Sequence, residues 1–154
     1  MTPLEHLEAG RARLVDDLIA FARIPSVSTD PAYRDQVRRA AGWVADRLRA
    51  AGLERVRAQP TAGHPVVTAE WLHAPGAPTL LVYGHYDVQP PDPLAAWASP
   101  PFAPEIRDGR IFGRGVSDDK GPLLIPIAVA EACLRTTGRL PVNLRFLIEG
   151  EEES

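Results

Sequence analysis

The chain has 154 residues and a net charge of −3, and its 45% hydrophobic and 24% charged content is typical of a globular domain with its own core. This charge balance gives no sign of a nucleic-acid surface, and no apolar run approaches the roughly 20 residues of a membrane helix, so we expect neither partner. The single cysteine, Cys133, excludes an internal disulfide framework and favours a reducing, cytoplasmic compartment. The N-terminus lacks the pattern of a signal peptide.

Two amphipathic helices are expected in the first third of the chain. Thr2–Glu5 has the form of a capping box, and the helix it begins is expected to end before Pro25. Asp30–Pro31 opens a second helix in the same way, with Gly52 closing it. The buried stripe of this second helix consists of Val37, Ala41, Val44 and Leu48. Its arginines are Arg34, Arg38, Arg39, Arg47 and Arg49. Because acidic residues are interspersed, we expect these arginines to form a solvated helix face.

Strands alternate with helices along the rest of the chain. The expected elements are strands at Leu53–Ala58, at Pro65–Leu72 and within Leu80–Pro90, a hairpin at Ile106–Phe112, a helix at Leu123–Leu134 and a strand at Leu140–Ile148. This alternation predicts an α/β protein with a mostly parallel sheet covered by helices.

The third of these strands ends in a pattern with chemical meaning. It begins as an apolar run, which indicates a buried strand, and it delivers His85 and Asp87 at its carboxyl end. Residues two apart on a strand point to the same side, and ligands bind at this end of the strands in open α/β sheets. Imidazole is a common metal ligand whose second nitrogen is oriented by a carboxylate or carbonyl. We therefore hypothesise that His85 binds a metal and that Asp87 orients it.

Two further acidic groups lie at the ends of predicted elements. Asp118–Asp119 precedes the apolar helix, and Glu149–Glu153 follows the last strand. If the strands are neighbours in one sheet, both groups meet the His85 side chain at one edge. Zinc accepts histidine and carboxylate ligands together, and one carboxylate can bridge two cations roughly 3.5–4 Å apart.

Other interpretations of these residues are open. Asp118–Asp119 could be a helix cap, and Glu149–Glu153 a solvated acidic segment. The histidines without a carboxylate pattern around them are expected at the surface or in the core; they are His6, His64 and His73. Gly113–Gly115 lacks the third glycine of a dinucleotide site, and Lys120 lacks the spacing of a nucleotide P-loop. The chain has neither a Cys-x-x-Cys zinc site nor the Gly-x-Ser-x-Gly elbow of serine hydrolases.

Taken in order, these motifs resemble the M20 family of metallopeptidases, and within it the carnosinase-like dipeptidase branch. The matching segments are Arg23–Ser28, Gly84–Pro90, Trp97, Pro101–Phe102, Asp108–Gly109, Gly113–Gly115, Ser117–Gly121, Pro141–Asn143, Glu149–Gly150 and Glu152–Ser154. The resemblance implies a three-layer, zinc-exopeptidase-like catalytic domain with a mostly parallel mixed sheet. Residues 1–154 would be its truncated N-terminal part, without the lid (dimerisation) domain and the C-terminal half of the catalytic domain.

The resemblance also implies roles for individual residues. His85 and Glu153 would each bind a metal, and Asp118 would bridge two zinc ions, for which manganese or cobalt are alternatives. Asp87 would pair with His85, and Glu152 would be the general base that takes a proton from the attacking water. The peptide bond after Asp118 would be cis.

The activity implied for the complete protein, a homodimer, is hydrolysis of dipeptides or short peptides by a water that two metal ions activate. A further aspartate and histidine ligand are expected beyond Ser154, so we expect the chain by itself neither to hold two zinc ions tightly nor to turn over substrate. Two alternatives stay open. One is another amidohydrolase of the same family: a deacetylase, a desuccinylase or a carboxypeptidase. The other is a non-catalytic remnant of the fold.

Overall fold

The computed structural model describes residues 1–154, which form a four-stranded sheet, a separate two-stranded hairpin and four α-helices. The helices are α1 (Pro3–Ala9), α2 (Arg11–Ala22), α3 (Arg34–Ala50) and α4 (Gly121–Thr137). The strands are β1 (Glu54–Gln59), β2 (Val66–Trp71), β3 (Thr79–His85), β4 (Glu105–Arg107), β5 (Arg110–Phe112) and β6 (Asn143–Glu149). None of the helices has the length and apolar character that crossing a membrane requires.

The larger sheet has the strand order β1-β2-β6-β3 and is mixed, which confirms the α/β class. The expectation that it is mostly parallel is wrong, because β1 pairs with β2 and β2 with β6 in antiparallel fashion, and only β3 and β6 are parallel. Residues 60–65 join β1 to β2, and so short a connection permits only an antiparallel pair. The parallel pair is the one that matters for the site, since it brings His85 opposite Glu149 at one edge.

The helices cover only one face of this sheet, so the predicted third layer is not present in this chain. The core between that face and the helices contains Phe21, Leu48, Val67, Ala69, Trp71, Ile127, Leu144, Phe146 and Ile148. On the opposite face, Leu81, Tyr83 and Leu147 are 59%, 55% and 39% exposed. The prediction of a buried β3 is therefore wrong for its apolar run. β3 is an edge strand that pairs with β6 alone, and only its end at Gly84 and His85 is buried.

The N-terminal helices largely follow their sequence signals. The capping box at Thr2 and Glu5 is formed, but the predicted single helix is two helices separated by Gly10. Glycine destabilises the interior of a helix because its backbone loses more conformational entropy there than that of any other residue. The second predicted helix begins as a 3₁₀ turn at Pro31–Tyr33 before α3, and its predicted apolar stripe is buried.

One residue of the predicted solvated arginine face is buried instead. Arg47 is 7% exposed; its Nε donates to Asp17 Oδ2 at 3.0 Å, and its Nη2 donates to Glu131 Oε2 at 2.5 Å. Arg13 also donates to Glu131, at 3.0 Å. We call these four residues the helix ion-pair network. Burial alone would raise the pKa of Glu131, but the hydrogen bonds and charges of Arg47 and Arg13 lower it below its usual range.

Candidate metal centre

His85, the last residue of β3, is held so that one ring nitrogen faces the acidic residues. Its Nδ1 lies 3.2 Å from the main-chain oxygen of Asp87 and 3.3 Å from Asp87 Oδ1. The His85 side chain is 7% exposed, and that of Asp87 is fully buried. Because Nδ1 is engaged, Nε2 is the nitrogen available to a ligand, and it lies 3.0 Å from Asp118 Oδ1.

Acidic side chains from two other parts of the chain approach this nitrogen. Ligand atoms of His85, Glu152 and Glu153 all lie within 4.8 Å of one another. Glu152 Oε2 is 3.8 Å from His85 Nε2, and Asp118 approaches the same nitrogen from the turn before α4. The structure therefore brings together all four side chains that the sequence singled out for metal and base chemistry, with Asp87 directly behind His85. We call this group of five the acidic cluster.

The two consecutive aspartates point in different directions. Asp118 is exposed and faces His85 Nε2, whereas Asp119 Oδ2 accepts a hydrogen bond from the main-chain nitrogen of His85 at 3.2 Å. Their peptide bond is cis, as the resemblance implies. A Cβ at Gly84 would lie 2.7 Å from Asp119 Oδ2, so the Asp119 carboxylate would have to shift to admit any side chain at this position.

The turn that carries both aspartates is anchored to the end of α2. Lys120 is fully buried, and its ammonium donates to the carbonyl oxygens of Phe21 and Ile24 at 3.1 and 2.7 Å. Burial lowers the pKa of Lys120 to about 7, against an opposing effect of Asp87. These hydrogen bonds fix the position of the turn relative to the end of α2.

The electrostatics of the site follow from an excess of acidic groups. Burial alone would lower the pKa of His85, but Asp87 and Asp118 stabilise the imidazolium and raise it to about 9. Burial would raise the pKa of Asp87, yet its interactions with His85, Ser28 and the Glu153 backbone lower it. The pKa of Asp119 is raised by burial. A proton on His85 thus partly balances the carboxylates, and a metal ion would displace it.

The donor set fits a divalent metal ion. It offers the His85 imidazole nitrogen and the carboxylates of Asp118 and Glu153, a combination that zinc accepts, with the Glu152 carboxylate beside them. The other histidines lie elsewhere. His64 Nε2 is 3.1 Å from the Ser28 oxygen, and His73 pairs with Glu54 at 2.9 Å.

Two polar contacts at the site were not anticipated from the sequence. Gln89 donates from Nε2 to Glu153 Oε2 at 2.6 Å, and the Tyr83 hydroxyl donates to Glu149 Oε1 at 2.5 Å. The hydrogen bond to Glu149 is the main reason that the pKa of Tyr83 is raised to about 12. A sequence signal for Gln89 existed, since it continues the two-residue spacing of His85 and Asp87.

An open groove of about 950 Å³ borders the acidic cluster. Asp118 and Glu153 lie in its wall, and the hairpin of β4 and β5 forms another part. Its wall also contains the aromatic side chains of Trp97 and Phe112, with the Arg114 guanidinium 5.3 Å from the Trp97 ring centre. The groove is large enough for a small ligand beside the cluster.

Comparison with known proteins identifies the family. A sequence model of peptidase family M20/M25/M40 matches residues 81–154. The Cys-Gly metallodipeptidase of Candida albicans is 34% identical over 96% of this chain and 33% of its own length. The succinyl-diaminopimelate desuccinylase of Xanthomonas campestris is 41% identical over 71% of this chain and 28% of its own.

The fold agrees with these matches. The crystal structure of human carnosine dipeptidase 1 superposes with a TM-score of 0.89 at 32% identity, covering 99% of this chain and 34% of that one. The chain spans about a third of the length of the relatives it matches. Sequence and fold agree over almost the whole chain, and on this evidence it belongs to peptidase family M20.

Proposed function

We propose that this chain contributes the metal-binding edge of a dipeptidase that hydrolyses peptide bonds of dipeptides or short peptides. The observation that carries the proposal is the meeting of His85, Asp118, Glu152 and Glu153 at the carboxyl ends of two parallel strands. The similarity over almost the whole chain to proteins named as dipeptidases supports this substrate class. Residues 1–154 would be the N-terminal part of the catalytic domain of a homodimeric protein.

His85, Asp118 and Glu153 would hold the metal ions, with Asp118 shared between two zinc ions or their manganese or cobalt replacements. Bound divalent cations supply the charge that polarises a peptide carbonyl and acidifies water. Asp87 keeps the His85 ring oriented with Nε2 toward the site. His85 must lose its proton before it can act as a ligand, so metal binding releases a proton when the site starts in its protonated form.

Glu152 is the proposed general base. Its side chain is 46% exposed and lies 3.8 Å from His85 Nε2, and it accepts no hydrogen bond within the chain. A carboxylate free of such commitments can take a proton from the attacking water and return it to the leaving amine. Glu153, one residue later, is tied by two hydrogen bonds and is suited to hold a fixed position.

A second candidate is hydrolysis of another amide within the same family. The desuccinylase similarity, 41% identity over 71% of the chain, favours this alternative. Both reactions attack an amide carbonyl, so the acidic cluster serves either one. The substrate groups that bind in the neighbouring groove would decide between them.

The test is hydrolysis by the protein encoded by the complete reading frame that contains these residues, loaded with Zn²⁺ and assayed on Cys-Gly, on β-Ala-His and on an N-succinyl amino acid. Glu152→Gln should lower the turnover number by about 10²–10⁴-fold and keep the bound zinc, because only the proton acceptor is lost. Glu151→Gln, at an exposed neighbouring position, is the matched control. Full activity of Glu152→Gln contradicts the assigned role, and cleavage of the succinyl compound alone favours the second candidate. Absence of all hydrolysis by the zinc-loaded protein favours the non-catalytic remnant.

A further inference from the structure

Two residues that follow β3 hold Glu153, one at its main chain and one at its side chain. Its main-chain nitrogen donates to Asp87 Oδ2 at 3.0 Å, and its Oε2 accepts a hydrogen bond from Gln89 Nε2 at 2.6 Å. The carboxylate of Glu152, the adjacent residue, accepts no hydrogen bond within the chain. Two consecutive glutamates are therefore held in very different ways.

We propose that Gln89 is a positioning residue that aims the Glu153 carboxylate at the metal site, an inference that rests on the proposed function. An amide NH₂ group can donate but cannot compete for a cation, so Gln89 occupies one carboxylate oxygen and leaves Oε1 for a metal ion. A carboxylate held by a donor keeps one orientation and does not sample several rotamers.

The backbone supports this role for Gln89. The Asp87 and Gln89 side chains both contact Glu153, and the Asp87 carboxylate contacts His85 Nδ1, so residues 85, 87 and 89 all face the same site. The segment is held beyond the end of β3, because the Val88 nitrogen donates to the Ser26 oxygen at 2.9 Å. One short stretch thus supplies a metal-facing imidazole, the carboxylate that orients it, and the amide that orients a ligand from another loop.

The arrangement also distinguishes the two glutamates. Glu153 is restrained at main chain and side chain, as a metal ligand needs to be. Glu152 keeps the freedom to move a proton between water and leaving group. Gln89 should therefore affect metal affinity through Glu153 and should have no separate effect on proton transfer.

The experiment uses the protein encoded by the complete reading frame that contains these residues. It measures the affinity for Co²⁺ by the visible absorption of the bound ion, for the wild type and Gln89→Leu. Leucine has a similar size but donates no hydrogen bond, and loss of such an orienting partner typically weakens metal binding by about 10–100-fold. Gln59→Leu is the matched control, because Gln59 is an exposed glutamine on β1 that bonds only to Thr68. We expect Gln89→Leu to weaken binding at least about 10-fold and Gln59→Leu to leave it unchanged.

A double-mutant comparison shows whether Gln89 acts through Glu153. Once Glu153→Ala has removed the carboxylate, adding Gln89→Leu should weaken Co²⁺ binding no further. Unchanged affinity in Gln89→Leu, or losses that simply add, would overturn the proposal while leaving the proposed function intact. A wild-type protein that binds no divalent ion would instead contradict the proposed function.

The metal-free protein gives an independent measurement. The side-chain amide resonances of Gln89 in a ¹H–¹⁵N spectrum should shift in Glu153→Ala and stay in place in Glu152→Ala, because only Glu153 accepts from that amide. Equal shifts in both variants, or none in Glu153→Ala, would overturn the inference whether or not metal binds.

Discussion

Two clusters of charged side chains in this protein differ in how their charges balance. The helix ion-pair network sets Arg13 and Arg47 against Asp17 and Glu131, two cations against two anions. The acidic cluster sets the single His85 imidazole against the carboxylates of Asp87, Asp118, Glu152 and Glu153. The first cluster is complete within the chain, whereas the second leaves negative charge that a cation from outside can neutralise.

This difference separates a structural role from a binding role. Buried charges are tolerated when partners and hydrogen bonds are supplied together, which describes the network between α2, α3 and α4. An unbalanced cluster at a surface edge gains stability only when a ligand arrives, and such sites trade stability for function. Variants of the helix ion-pair network should therefore lose stability, whereas variants of the acidic cluster should lose metal binding or activity and keep the stability of the metal-free protein.

The largest change in stability is expected when Arg47, a buried cation of the helix ion-pair network, is removed. Arg47→Met should lower the free energy of unfolding by about 3–5 kcal/mol, because Glu131 and Asp17 lose a buried partner. Arg49→Met is the matched control: Arg49 lies on the same helix and is 53% exposed, so its loss should change stability by less than about 1 kcal/mol. Chemical denaturation measures both variants. Equal effects would mean that the network is not what stabilises this helix contact.

Replacing one glutamate by glutamine in each cluster allows their contributions to stability to be compared directly. Glu131→Gln should cost about 1.5–3 kcal/mol of stability, because two arginines lose a charged acceptor. Glu152→Gln should leave the stability of the metal-free protein within about 0.5 kcal/mol, since it relieves an excess of negative charge at an exposed position. Thermal unfolding in the presence of a chelator measures the pair. A larger loss in Glu152→Gln would reverse the assignment of roles.

A smaller loss of stability is expected at low pH. The lowered pKa of Glu131 means that its ion pairs stabilise the fold above the ordinary glutamate value of about 4.3, and that this contribution is lost as pH falls through the lower folded value. The free energy of unfolding should therefore decline below about pH 4.3, with at most about 1.4 kcal/mol per pH unit from this group. Denaturation curves at several pH values should show a shallower decline in Glu131→Gln. An identical decline would show that Glu131 does not contribute.

The sequence predicted the site better than it predicted the sheet. His85, Asp118 and Glu153 could be placed at one edge because each follows or precedes an apolar element, and parallel strands bring their carboxyl ends together. Gln89 was missed as a functional residue even though its spacing from His85 was visible. The direction in which a polar side chain beyond a strand points cannot be predicted until the course of the backbone there is known.

The failures concern long-range packing. The apolar run of β3 predicted burial, but Leu81 and Tyr83 are exposed because no element of this chain covers that face. Arg47 looked like a surface residue because local charge patterning does not reveal that Glu131, 84 positions later, packs beside it. The predicted roles of the metal-facing residues and the proposed position of this chain within a larger catalytic domain stay predictions.

The most direct test of the difference between the two clusters is a Zn²⁺ titration by calorimetry of the protein encoded by the complete reading frame, with His85→Ala and Glu131→Gln as the paired variants. The account predicts that the wild type and Glu131→Gln bind Zn²⁺ with the same affinity and that His85→Ala binds at least about 100-fold more weakly. Equal affinities in the wild type and His85→Ala would contradict it, as would a wild-type protein that does not bind the ion.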